Sequence, residues 1–290
     1  MPTLPKKTKN MQLNEYQTNL LRNYQQVIAY GNQKMATVKL ERNKVRLKKQ
    51  ILYFMMCAAQ SYSESILRLV SPPRIYDKSA EVLMRSLVEL FINLNYINSG
   101  RGQKNALTFI VDSINERVDF ANKYQRFMKK YPTWKIPFGS ITKPDDWNKF
   151  IKEKQQEIAE GEKHFKIKLP KRLPDIRGRA IIFDDNLKSR NKLSRKKSLE
   201  YYYIAYYKYF SQIAHLTMPG LERFLTESDE GMILNLDGKP EDLDRVVAVS
   251  YQLYFVMLRF FLKQFNAYNN QDFAQFEDFS KNMAKMKTGS

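Results

Sequence analysis

The sequence predicts an all-α protein, folded as a bundle of about eight helices. Glycine and proline number only 10 and 11 among 290 residues, and residues with high helix propensity are common. Apolar residues also recur at helical spacing along most of the chain. We therefore expect one helical domain over residues 12–288, preceded by a basic tail at 1–11 and followed by a cloning remnant at 289–290.

Turn and capping signals delimit the first three predicted helices. One helix is predicted over residues 12–30, where Gly31-Asn32 breaks its pattern. A longer helix over 34–70 begins strongly basic and becomes apolar before two prolines stop it. The next helix should open with Asp77 as its N-cap residue and close at Ser99-Gly100.

The second half of the chain combines helices with one irregular insertion at residues 165–197. Within it, a short strand is predicted at 180–183, paired with a second strand at 232–236 to form a small ribbon. Ser198 should cap a highly aromatic helix. The remaining predicted helices cover 104–131, 145–164, 199–218, 241–268 and 273–286.

Composition excludes several classes of site. The single cysteine, Cys57, cannot form an internal disulfide, and one Cys with two His is too few for a zinc site. The sequence contains no glycine-rich phosphate loop, and Asp184-Asp185 is expected to be a turn rather than a magnesium site. The sequence therefore predicts no metal and no cofactor, in a reducing, cytoplasmic setting.

Two apolar segments, at 51–59 and 246–258, are shorter than the roughly 20 residues that cross a bilayer. Both are predicted to be buried helices. A peripheral membrane role is the weakest of the functional hypotheses.

The net charge of +19 is concentrated in two stretches of the chain. Residues 1–50 hold 11 basic and 2 acidic residues, a net of +9, and residues 163–197 hold 13 and 3, a net of +10. Localised positive charge is typical of proteins that bind a phosphate backbone, although solvated basic loops give the same pattern. The residues predicted to contact nucleic acid are Arg42, Lys44, Arg46, Lys48, Lys49, Lys171, Arg172, Arg177, Arg179, Arg195, Lys196 and Lys197.

Ionisable residues share one row of the helix predicted to begin at Asp77. At about 100° per residue, Arg85, Glu89 and Tyr96 lie along the same face of a helix that is otherwise apolar. Ionisable groups are rarely buried without partners. This row is therefore either an ion pair at the surface or part of a functional site.

The aromatic helix carries Tyr207, Ser211 and His215 at intervals of one turn. A histidine can act as acid or base near neutral pH, and a serine one turn away reaches the same ligand. Alternatively, Ser211 bonds the carbonyl one turn back and His215 caps the helix end. Several of the six tyrosines within 201–209 must be core, while one or two could stack on bases.

Two motifs resemble those of a known family. The run Lys78–Ile97, which contains Arg85 and Glu89, resembles the Arg-Ser-Leu-x-Glu helix of the bacterial all-α family known as domain of unknown function 5677. The run Tyr206–His215 resembles its later Tyr-rich helix, which ends in Ser-x-x-x-His. Together with a segment at 106–121, the likeness covers about residues 50–225.

That family is similar in pattern to the HEPN helical bundles, many of which are metal-independent ribonucleases of toxin and phage-defence systems. Their active site is an arginine followed, after four to six residues, by a histidine, paired across a homodimer. His215 matches the histidine, but Lys208 occupies the first position open to the arginine, so Arg85 is the candidate replacement. The resemblance implies RNA rather than DNA as the partner, and a possible homodimer.

Two main hypotheses follow. In the first, basic segments bind RNA, and His215, Arg85 and Glu89, with Ser211 and Tyr96 beside them, form a catalytic site. In the second, the protein is a non-catalytic module that binds nucleic acid or protein, and these residues form a polar network that fixes helix packing. The lack of an arginine beside His215 favours the second.

Overall fold

The computed structural model describes nine stretches of the chain. They are 13–38, 47–73, 75–99, 102–132, 144–166, 172–194, 197–228, 231–234 and 240–288.

The predicted all-α bundle is confirmed. The helices are α1 (Glu15–Thr37), α2 (Leu47–Leu69), α3 (Asp77–Asn98), α4 (Gly102–Lys130), α5 (Pro144–Phe165), α6 (Ile176–Lys188), α7 (Leu199–Tyr202), α8 (Tyr209–Ala214), α9 (Met218–Glu222), α10 (Pro240–Gln264) and α11 (Asn270–Thr288). A π-helical segment, Tyr203–Lys208, joins α7 to α8, and two short strands, β1 (Leu225–Ser228) and β2 (Gly231–Leu234), precede α10.

The core forms where α2, α3 and α10 pack together, with α1 and α11 alongside. Each of these helices contributes an apolar stripe, and the largest fully buried side chains include Tyr24, Met56, Met84 and Phe261. Helix α3 lies at the centre, because it also packs against α4, α6, the π-helical segment and α8. Polar side chains on α3 can therefore contact residues of several other helices.

Helix α1 does not end at Gly31-Asn32, so the predicted break is wrong. Gly31 is buried, and a Cβ atom there would collide with the hydroxyl of Tyr254 on α10. Glycine at this position permits close packing of two helices and does not mark a turn.

The predicted strand at 180–183 is also wrong, because these residues lie within α6. Asp175 caps this helix by accepting a hydrogen bond from the Gly178 amide, and Ala180 is buried against the core. The ribbon itself exists, but β1 takes the place of the predicted first strand: Leu225 pairs with Leu234 and Thr226 with Ile233. Its second strand agrees with the prediction as far as Leu234.

The aromatic helix begins after Ser198, as predicted, but it ends at Ala214 and contains the π-helical segment. His215 is the C-cap residue, and Leu216 follows in the left-handed region with φ of 50°. The amide of Thr217 bonds the carbonyl of Gln212, which closes a Schellman turn. Asp77 departs from its predicted role too, since Tyr76 is the N-cap residue and Asp77 is the first helical residue.

Helix α10 is long and apolar enough, over Asp242–Gln264, to cross a membrane by length and composition. However, 61% of its most apolar window is buried inside the protein, as in the core helix of a soluble bundle. The structure therefore gives only weak support to a membrane-spanning role.

Candidate functional site

A polar row runs along α3 at four-residue intervals. Glu81, Arg85, Glu89 and Asn93 share one side of the helix, because four residues make slightly more than one turn. Each of the four lies beside residues from other helices. We refer to these four residues as the α3 polar row.

Arg85 connects the row to the aromatic helix. Its Nε donates to Ser211 Oγ at 3.0 Å, and its Nη2 donates to the Tyr207 hydroxyl at 2.6 Å. The guanidinium carbon also lies 4.6 Å from the centre of the Tyr207 ring, within range of a cation–π contact. The two motifs identified in the sequence therefore meet in the fold.

The Ser211 hydroxyl is fully engaged. It donates its proton to the carbonyl oxygen of Tyr207 at 2.6 Å and accepts from Arg85. It is also 9% exposed. Because its only proton is held by the main chain, Ser211 acts here as a positioning residue for Arg85 rather than as a nucleophile.

His215 lies one turn beyond Ser211, with its amide bonded to the Ser211 carbonyl at 3.0 Å. At 1.5 Å rise per residue, the two Cα atoms are separated by about 6 Å along the axis. The imidazole is exposed, and it has no hydrogen bond or ion pair to the described residues. Arg85 thus contacts Tyr207 and Ser211, just before and within the first half of α8, while His215 lies at the C-terminal end of that helix.

Tyr207 lies inside a stack of four side chains. Its ring is nearly parallel to that of Tyr203, with centres 5.4 Å apart, and Lys208 lies 6.0 Å from the Tyr203 ring. Burial, with a further contribution from the Glu89 carboxylate, raises the pKa of Tyr207, while the charge of Arg85 works to lower it. A cation therefore lies beside each of these two rings.

The far end of the row contacts α6. Arg179 donates to the Asn93 side-chain oxygen and to the carbonyl of Pro174. Burial lowers the pKa of Arg179, and Glu89 is the strongest opposing charge. Tyr96, one turn beyond Asn93, is 5% exposed, and burial raises its pKa. This end of the row is therefore enclosed, and only its middle reaches the surface.

Glu81 forms a buried hub at the near end of the row. It has no exposed surface, and its Oε1 accepts from Arg223 at 2.5 Å and from Arg245 at 2.8 Å. Both guanidinium groups lie over the Tyr209 ring, at 4.5 Å and 4.8 Å. The hub therefore fixes the chain just after α9 to both α3 and α10.

Sequence reasoning missed Glu81, Asn93, Arg223 and Arg245. The four-residue spacing from Glu81 to Asn93 was a usable signal, since it extends the Arg85–Glu89 pair by one turn in each direction. The two arginines gave no such signal, because they follow Glu81 by more than 140 residues.

The residues predicted to bind nucleic acid separate into four groups: exposed, half-buried, buried, and outside the described stretches. Arg172, Arg177 and Lys197 are exposed, and Lys48 and Lys49 are half-buried, with Lys48 bonded to Asn98 at 2.5 Å. Arg179 is 9% exposed and bonded inside the protein, so its predicted role as a surface contact is wrong. Outside the described residues lie Arg42, Lys44, Arg46, Lys171, Arg195 and Lys196.

Asp184 is not part of a turn, contrary to the prediction. It lies in α6, is 4% exposed, and accepts from Ser198 Oγ and from the amides of Leu199 and Glu200. It therefore caps α7 from a neighbouring helix. Within the stretches that the structure describes, no three His, Cys, Asp or Glu side chains are grouped to hold a metal ion.

A protein-family comparison matches most of these elements. The model of a family of unknown function, DUF5677, matches residues 49–232, from the start of α2 to β2. No curated protein and no solved structure matches the chain. The matched region includes the α3 polar row, the aromatic helix and His215, and it spans more than half of the chain. The chain therefore belongs to DUF5677, a family of unknown function.

Proposed function

We propose that the protein binds single-stranded RNA through its basic segments and cleaves it, without a metal ion, beside Arg85 and His215. The observation that carries the proposal is the bond from Arg85 to Ser211, one turn before the exposed His215. It fixes a cation to the first half of α8, and the imidazole lies one turn further, at the C-terminal end of that helix. The similarity of the family pattern to HEPN bundles supports a role in a bacterial defence or toxin-like system.

The chemistry of this site is transfer of the RNA phosphate within the strand. The His215 imidazole takes the proton of a ribose 2′-hydroxyl, and the 2′ oxygen attacks the adjacent phosphorus. The bond from phosphorus to the 5′ oxygen breaks, and that oxygen receives a proton from the imidazolium. The products are a 2′,3′-cyclic phosphate and a 5′-hydroxyl, and Arg85 stabilises the extra negative charge of the transition state.

RNA binding rests on exposed positive charge in the segment before the aromatic helix. Arg172, Arg177 and Lys197 are exposed, and the surrounding segment 163–197 carries a net charge of +10. Each lysine or arginine that neutralises a phosphate releases a counterion, so binding should weaken steeply as salt rises.

A second candidate is a binding module without catalysis. The observation in its favour is that Nε and Nη2 of Arg85 already donate to Ser211 and Tyr207, respectively, so the guanidinium also stabilises the contact of α3 with α8. In this case the α3 polar row fixes helix packing and the exposed basic residues alone bind RNA.

Cleavage of a labelled RNA oligonucleotide in EDTA, by wild type and His215→Ala, separates these candidates. The matched control is His164→Ala, which removes the only other histidine. We expect His215→Ala alone to lose cleavage while RNA binding persists, and a DNA oligonucleotide of the same sequence to remain intact because it lacks the 2′-hydroxyl.

Salt-sensitive RNA binding without cleavage by any variant would exclude catalysis and favour the binding module. Equal cleavage by wild type and His215→Ala would exclude His215 as the base. Failure to bind RNA at low salt would refute both candidates.

A further inference from the structure

A groove lies between the first half of α1 and the end of α2, on helices that do not carry the Arg85 site. Its volume is about 1030 Å³, which is large for a surface depression and leaves room for several side chains of a partner. The residues that define its character are Leu13, Leu21, Arg22, Leu67, Arg68 and Pro72.

The charge of the groove has one sign. Arg22 from α1 and Arg68 from α2 supply a cation to each wall, and none of the described residues that line it is acidic. Both arginines are exposed, and neither pairs with a carboxylate in the described stretches of the chain. An occupant of complementary charge therefore carries carboxylates or phosphates on both sides of its contact surface.

The apolar lining of the groove is aliphatic. Leu13, Leu21 and Leu67 are half-buried with their inner sides on the core, and Pro72 closes one end. The groove's described lining includes no aromatic ring, so these residues offer no surface on which nucleic-acid bases would stack. A leucine-lined floor between two cationic walls is complementary to an amphipathic helix that has an apolar face flanked by acidic residues.

We propose that this groove binds an amphipathic helix of a partner protein, whose apolar side chains face Leu21 and Leu67 and whose flanking carboxylates pair with Arg22 and Arg68. The occupant packs as a third helix against α1 and α2. The interaction goes beyond RNA binding, because it uses none of the residues of the α3 polar row and none of those predicted to contact nucleic acid.

The test uses the full chain and a fluorescein-labelled synthetic helical peptide with leucines at i, i+3, i+4 and i+7 and glutamates on both flanks. A second peptide carries glutamine at every glutamate position. We expect the glutamate peptide to raise fluorescence anisotropy at micromolar protein, and the double variant Arg22→Glu/Arg68→Glu to weaken its binding at least about tenfold.

The matched control is Arg190→Glu/Lys192→Glu, which makes the same change in net charge at exposed residues just after α6. It should leave peptide affinity within about twofold. Equal losses in the two double variants would overturn the proposal, since general charge attraction would then explain binding. Equal affinity for the glutamine peptide, or no peptide binding, would also overturn it.

A labelled oligouridine RNA provides the last comparison. We expect its binding to fall in the Arg190→Glu/Lys192→Glu variant and to change little in Arg22→Glu/Arg68→Glu, because the groove lacks stacking surfaces. The reverse pattern would assign the groove to nucleic acid and overturn the proposal, while leaving the proposed function intact. A wild type that binds the glutamate peptide but no RNA would instead refute the proposed function and leave the groove's assignment standing.

Discussion

The Nε of Arg85 on α3 donates a hydrogen bond of 3.0 Å to Oγ of Ser211 on α8, although 126 residues separate them in the chain. The Ser211 hydroxyl also donates its own proton to the Tyr207 carbonyl, so both its donor and an acceptor site are occupied. Of the predicted catalytic residues, His215 is the one with an exposed titratable group beside this contact.

The contact between Arg85 and Ser211 should be measurable as a coupling energy. Ser211→Ala removes a charge-assisted hydrogen bond and should lower the free energy of unfolding by about 1 to 3 kcal/mol. In a double-mutant cycle with Arg85→Ala, we expect a coupling of about 0.5 to 3 kcal/mol, measured by urea denaturation.

Ser189→Ala is the matched control, because the exposed Ser189 hydroxyl bonds only the Asn186 carbonyl of its own helix. It should change stability by less than about 0.5 kcal/mol. Additive effects of Ser211→Ala and Arg85→Ala would show that the contact carries no energy of its own.

Glu81→Gln should be strongly destabilising. The change preserves size but removes the charge that pairs with Arg223 and Arg245 in a site without exposed surface. Removing one partner of a buried ion pair typically costs about 3 to 5 kcal/mol. The cost here should lie at the lower end of that range, because Arg245 is 35% exposed and keeps its pair with Asp242. Asp278→Asn, in an exposed pair with Lys281, should cost less than about 1 kcal/mol in the same thermal or urea unfolding experiment.

Asp242 should make stability fall in acid. Burial works to raise the pKa of Asp242, but hydrogen bonding to Lys78 and the charges of Lys78 and Arg245 outweigh it and hold the pKa below its usual value. A carboxyl whose folded pKa is lowered stabilises the fold above its unfolded pKa of about 4, and this contribution is lost as pH falls through the folded value. Asp242→Asn should therefore reduce the loss of stability below about pH 4.

Lys78 should make stability fall as the pH becomes strongly basic. Burial opposes its charge, but the hydrogen bonds to Asp77 and Asp242 prevail and raise the pKa of Lys78. Its contribution is present below the unfolded pKa of about 10.4 and disappears as pH rises through the folded value. Urea unfolding curves recorded across pH would test both signs, and an unchanged acid limb in Asp242→Asn would contradict the assignment.

Gly31→Ala should destabilise the protein although it lies within a helix. Alanine normally favours a helix over glycine by about 0.5 to 1 kcal/mol, but here the new Cβ collides with the Tyr254 hydroxyl. Overpacking of this kind costs about 1 to 3 kcal/mol. Because Tyr254→Phe removes that hydroxyl, the double variant should be less destabilised than the sum of the single variants. Strict additivity in urea unfolding would argue against the collision.

Much of the secondary structure could be predicted from local patterns. The stripes of α3, α4 and α10 repeat every three or four residues, and these helices lie close to the predicted ranges. The predictions of secondary structure were wrong where a residue pattern reflected packing between helices and not the local backbone. Gly31 serves the packing of α1 on α10 rather than a turn, and the apolar run at 180–183 fits a buried helix as well as a strand.

The sequence also indicated half of the candidate site. Helical spacing placed Arg85 with Glu89 and Ser211 with His215, because residues one turn apart share a face whatever the rest of the chain does. Arg179 was misplaced, since its position in a basic segment carries no information about burial. The π-helical segment, and the pairing of Arg223 and Arg245 with Glu81, left no local pattern in the sequence.

The sequence alone therefore determined the helical class, the positions of most helices, and which polar residues share a helix face. These properties follow from backbone periodicity and from interactions within a few residues. The tertiary structure decided that Arg85 contacts Ser211, that Arg223 and Arg245 share Glu81, and that Arg22 faces Arg68 across a groove. Those pairings depend on how the apolar faces of the helices pack. Packing brings together residues that are far apart in the chain, and their separation in sequence does not predict their distance in space.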